Sequence, residues 1–179
     1  MKISEFPCLN QVYDYDCGAK ATEAVLAYYG QDVDEQTVMK MAGTTSRYGT
    51  PLKGIERTLR HFGLKLESKK MTIRVLKKYL DREIPVIILL QAWPANLKQK
   101  IDWKNWWQDG HYVVAIGYDK KKIYFEDPMC NMRTYLTFKE LQDRWHDVLG
   151  REKKVYRNRG MAVFGHRQAF DINKAVHMG

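Results

Sequence analysis

The apolar residues of this chain change period once, and that change limits the folds open to it. Up to Asp81 they recur three and four positions apart, as one face of a helix requires; from Pro85 onward they come in short runs rich in Val, Ile, Tyr and Phe, as strands require. Helices first and an antiparallel sheet afterwards make an α+β chain. The spacing of Ala21, Ala24, Val25, Tyr28 and Tyr29 predicts a first helix capped by Asp16 or its neighbour and stopped near Gly30, which puts Cys17 at or within the first turn. A short helix is expected from Asp34 to Ala42, ended by Gly43. Thr50 as cap, Pro51 at the first helical position and the series Leu52, Ile55, Leu59 and Phe62 before Gly63 predict a third. Leu64 to Glu67 reads as a short strand, and Thr72 as the cap of a helix through about Asp81 with Ile73, Leu76 and Leu80 on its inner face.

In the second half, Pro85 to Gln91 reads as a buried strand. His111 to Tyr118 and Lys122 to Glu126 flank a polar turn and read as a hairpin. Arg133 to Leu136 adds a strand, Thr137 with Glu140 forms a capping-box signature for a helix to about Val148, and Gly160 to Phe164 supplies a last strand. The expected organisation is one domain over residues 1–165, with 166–179 as a flexible tail.

The longest apolar run, Pro85 to Leu90, is far shorter than the roughly 20 residues of a membrane span, and Met1 to Asn10 lacks the pattern of a secretory signal. A cytoplasmic location is the default expectation. Cys8, Cys17 and Cys130 are an odd number without zinc-site pairing, so no disulfide framework, metal or other cofactor is expected. The net charge of +9 permits an anionic partner. The basic residues are scattered, however, which argues against nucleic acid as the main partner.

A cysteine at a helix amino terminus faces unpaired amides and the positive end of the helix dipole, both of which favour thiolate. Gly18 beside it leaves room for a substrate carbonyl, or else serves packing alone. Attack by the thiolate creates an oxyanion, for which the Cys17 amide and the side chain of Gln11, six residues upstream, are candidate donors. Of the five histidines only His111 opens a strand, directly after Gly110, while His61 and His146 fall on predicted helices. Asp127 closes the next strand, where a carboxylate can hold the imidazole tautomer. The two share a sheet face only if the hairpin has an odd-length loop or a bulge.

Gln11, the sequence Asp16-Cys17-Gly18 opening a helix, Gly110-His111-Tyr112-Val113-Val114 and Glu126-Asp127-Pro128, taken in order, resemble the bacteriocin-processing, double-glycine leader peptidases. The resemblance covers roughly Ser4 to Val148. It implies a papain-like fold with the helical part packed on the sheet. It further implies Cys17 as nucleophile, His111 as base and acid, Asp127 as orienter, Gln11 as oxyanion donor, and cleavage through an acyl-enzyme after a small Gly-Gly or Gly-Ala pair. The exporter-linked members carry a membrane domain and an ATPase that this chain lacks, so it looks like a stand-alone relative whose substrate differs. The stretch Ala92 to Asp109 holds Trp93, Trp103, Trp106 and Trp107, and is expected either to wall the substrate cleft, with Trp106 and Trp107 as contacts, or to cap the core. The partner implied is a peptide or protein. The competing readings are an inactive binding module for peptide or nucleic acid, and an acyl transferase or isopeptidase, since the same thiol chemistry serves several acyl acceptors.

Overall fold

The computed structural model describes residues 3, 5–94, 100–167 and 176–177. Three helices, α1 (Cys17–Tyr28), α2 (Glu35–Ala42) and α3 (Leu52–His61), come first, followed by β1 (Lys65–Lys70) and α4 (Ile73–Leu80). The second half supplies β2 (Val86–Gln91), β3 (Gly110–Tyr118), β4 (Lys122–Glu126), β5 (Thr134–Thr137), α5 (Phe138–Arg144), β6 (His146–Leu149), β7 (Lys154–Arg157) and β8 (Arg159–Phe164). Six strands form an antiparallel sheet in the order β1-β8-β2-β3-β4-β5, and β6 pairs with β7 in a separate hairpin.

Most elements begin and end where local chemistry dictates. Asp34 caps α2 by accepting from the Thr37 amide, and Gly43 ends it in the left-handed conformation that glycine adopts without strain. Thr72 caps α4, and Thr137 and Glu140 form the reciprocal capping box on α5. Two expectations shift. Pro51, not Thr50, is the residue before α3; Thr50 instead bonds Thr44 through its hydroxyl. The helix expected to reach Val148 stops at Arg144, because Trp145 turns its indole inward, fully buried, to donate to Arg159 O at 2.8 Å. Residues His146 to Leu149 then pair with Lys154 to Arg157 as a hairpin that the periodicity did not reveal. A Trp145→Ala cavity costs about 3–5 kcal/mol.

The β3–β4 register places the site. Tyr118 faces Ile123 and Gly117 faces Tyr124 across a tight turn, but beyond it Ala115 faces Phe125 and Val114 faces Glu126. Ile116 is the extra residue, a β-bulge that shifts the register by one. Asp127 thereby falls level with Val113, on the same face as His111. Without the bulge the two would point to opposite sides. The helical part packs on this sheet through α1 against β3, and the shared core includes Val25, Leu26, Ile55, Leu59, Val114 and Met161. Of the tail expected at 166–179, Arg167 bonds Glu5 and stacks over Tyr28, while 168–175 and 178–179 lie outside the described residues.

Candidate active site

Cys17 is the first residue of α1, half-buried, and no side chain caps the helix. Asp16 occupies the cap position but turns its carboxylate back to the amides of Val12 and Tyr13. The first amides of α1 are thus left to whatever binds at the thiol. His111 leads in from the start of β3, 6% exposed. Its Nε2 is 2.7 Å from Asp127 Oδ1, and Nδ1 remains for Cys17, to which His111 is also hydrogen-bonded. Burial alone would push the His111 pKa down; the bonds to Asp127 and Cys17 overcome it and lift the value to about 10. The imidazole is therefore held in its protonated form between the Cys17 sulfur and the Asp127 carboxylate.

Asp127 is 3% exposed, and burial would raise its pKa. The bond and charge of His111, the Met129 amide and the Thr134 hydroxyl together hold it below the ordinary carboxylate range. Trp93 adds a further donor, its Nε1 lying 3.1 Å from Asp127 Oδ2. No local pattern announces this contact, because Trp93 lies 34 residues from Asp127 in a loop without periodicity.

Gln11 is brought to the same end of the sheet by its backbone amide, which donates to Pro128 O at 2.8 Å. Buried Glu126 supports the approach by accepting from the Leu9 amide and pairing with Arg133. The Gln11 side chain donates through Nε2 to Tyr13 O at 2.7 Å. That carbonyl can only accept, which fixes which end of the amide is nitrogen and leaves one N–H over.

A cleft of about 630 Å³ opens beside Cys17, lined among others by Arg47, Trp107, Gly110, Tyr112, Asp147 and Lys153. Gly110 and Trp107 thus lie on its wall. Trp106 is not among its lining residues: its indole bonds Asp109, and its carbonyl accepts from His146. Trp107 packs on His146 with ring centroids 4.3 Å apart, and Arg157 covers it. The Trp-bearing loop is therefore both cleft wall and cap on the β6–β7 hairpin. His146, placed by its sequence on a helix, lies in β6 and is buried. Gly18 serves packing: a Cβ there would come within 2.8 Å of Thr50 and Tyr112. At Gly110 a Cβ would meet the Asp147 carboxylate at 2.0 Å. Asp147 itself was missed because its hairpin was. Burial raises its pKa to about 6 against the bonds from Val148 and Gln91.

Among the described residues no cluster of His, Cys, Asp or Glu is placed to hold a metal, all three thiols are free, and no helix is long and apolar enough to cross a membrane.

A helix-borne cysteine meeting a histidine and an aspartate borne by an antiparallel sheet is the arrangement of the papain-like peptidase fold. Solved structures share the fold: the peptidase domain of Streptococcus ComA, at 21% identity and TM-score 0.65, covers 92% of this chain and 100% of its own. A C39-like peptidase from Bacillus anthracis gives 18% identity and TM-score 0.69 over 93% and 98%. A double glycine motif protease from an AMS/PCAT transporter, solved with a leader peptide, gives 21% and 0.63 over 90% and 93%. No curated protein sequence matches the chain. Residues 3–152 match the Peptidase_C39 like family, and the chain belongs to it.

Proposed function

We propose that the chain is a cysteine peptidase in which Cys17, His111 and Asp127 form the catalytic triad and Gln11 donates to the oxyanion. The carrying observation is His111 held between the Cys17 thiol and the Asp127 carboxylate. In this reading the Cys17 thiolate attacks the scissile carbonyl carbon, forming a C–S bond as the π electrons move to oxygen. The oxyanion takes bonds from the Cys17 amide and the free N–H of Gln11. Collapse breaks the C–N bond, and the departing amine takes the proton from His111. His111 then removes a proton from water, whose oxygen displaces the thiolate from the thioester and releases the acid.

Family membership and a relative solved with its leader peptide favour a peptide substrate cut after small residues such as Gly-Gly. The assembled triad disfavours the inactive binding module. Transfer to an amine uses the same acyl-enzyme, so the product decides. Intact-mass analysis of peptides ending a leader in Gly-Gly, incubated with the protein, is expected to show two fragments whose masses sum to substrate plus one water. A peptide aldehyde is expected to add to Cys17 alone. Labelling of Cys8, Cys17 and Cys130 alike would overturn the assignment, and a fragment joined to an added amine would make the chain a transferase.

A further inference from the structure

Beneath the nucleophile lies a set of buried charges that this reading leaves unused. Asp16 is fully buried, and its Oδ2 accepts from the Tyr13 amide at 3.0 Å and the Val12 amide at 3.3 Å. The carbonyl of the same Tyr13 accepts from Gln11 Nε2 at 2.7 Å. Asp16 thus grips one peptide group of residue 13, and Gln11 is held by the other. Asp16 Oδ1 and Glu35 Oε1 are both buried without a hydrogen-bond partner of ordinary geometry among the described residues, and the two carboxyl groups lie against each other. Lys20 joins the cluster through Glu35 at 3.1 Å and Glu23 at 2.7 Å. Burial raises the Glu35 pKa, the bond and charge of Lys20 pull it back, and the neighbouring Asp16 carboxyl pushes it up again. A side chain that only filled this space would be apolar, because a buried carboxylate costs several kcal/mol.

We propose that Asp16 is a positioning residue that acts through Gln11, locking the turn between them so that the Gln11 side-chain amide stays aimed at the oxyanion. Glu35 braces Asp16 from below. The proposal rests on the oxyanion role of Gln11 given above, and the test separates the two.

Turnover of a fluorogenic Gly-Gly coumarin amide is measured for Gln11→Ala, Asp16→Ala and the double variant, alongside alkylation of Cys17 by iodoacetamide. Alkylation builds no oxyanion, so a residue acting through an oxyanion donor lowers kcat without slowing alkylation. Expected are a kcat loss for Asp16→Ala approaching the roughly 100-fold of Gln11→Ala, no further loss in the double variant, and recovery of most of the rate by Asp16→Asn, whose carbonyl oxygen can still accept. Tyr13→Pro, at an exposed position, deletes one of the same bonds from the other end and is expected to reproduce the loss; it carries the test should Asp16→Ala not fold. Losses that multiply in the double variant, alkylation slowed in step with turnover, or a folded Tyr13→Pro with full kcat would overturn the proposal while leaving Gln11 in place. An unchanged kcat in Gln11→Ala would remove the oxyanion assignment itself, and the proposal with it.

Discussion

Trp93 donates its indole N–H to Asp127 Oδ2 at 3.1 Å, so the carboxylate that orients His111 is itself oriented from the loop after β2. The bond is one of several on Asp127, and removing it leaves the His111 contact in place. Trp93→Phe is therefore expected to lower kcat by about 3- to 10-fold, against a far larger loss for Asp127→Asn, where the acceptor that fixes the imidazole changes character. Steady-state kinetics on one peptide substrate compare the two; equal losses would mean that the indole, not the carboxylate, sets the histidine.

His111 supplies a pH prediction. Its folded pKa of about 10 lies above the ordinary histidine value, so its contribution to stability is full below about pH 6.5 and is lost as pH rises through about 10. The rate is expected to hold into the alkaline range and to fall as the imidazolium loses its proton there. Cys17→Ala removes one of the two partners and is expected to abolish turnover and lower the His111 pKa. Ring-proton NMR titration of both proteins reads that change directly.

The paired tryptophans separate by what they touch. Trp107 lines the cleft, whereas Trp106 ties the loop to Asp109 and His146. Trp107→Ala should raise KM several-fold with a small change in Tm, and Trp106→Ala should lower Tm by several degrees while KM moves less. Thermal melts and KM values on the same preparations check this, and the reverse pattern would exchange the two roles.

Asp147 has the same sign as His111 in a lower pH window. Burial raises its pKa to about 6, so the folded state binds more protons than the unfolded one between about pH 4 and 6, and stability falls across that window. Asp147→Asn keeps an acceptor for Gln91 without the buried charge. It is expected to be more stable than the parent at pH 8, by about 3 kcal/mol at most, and equal to it below about pH 4. Urea denaturation at both values measures the difference.

The sequence disclosed the α+β order, the caps at Thr72 and Thr137, and the approach of His111 to Asp127, because each rests on local periodicity or on a motif with a fixed geometry. It even posed the register question that the Ile116 bulge answers. The β6–β7 hairpin stayed hidden because Leu141, Trp145 and Val148 keep a helical spacing, and only the burial of Trp145 against β8 ends the helix. Trp93 and Asp147 were invisible for a related reason: each acts on a residue far along the chain, and nothing in local pattern encodes that meeting. Gly18 was legible as special, but its neighbours were not, since Thr50 and Tyr112 come from two distant stretches of the chain.

The place of β8 in the sheet also bears on how the sheet closes. It inserts between β1 and β2 and pairs with both, although more than sixty residues of chain separate it from β2, the nearer of the two. Until Arg159 to Phe164 has been made, β1 and β2 each keep an unpaired edge on the side where β8 belongs, so the sheet that carries His111 closes only through contacts between distant stretches of chain.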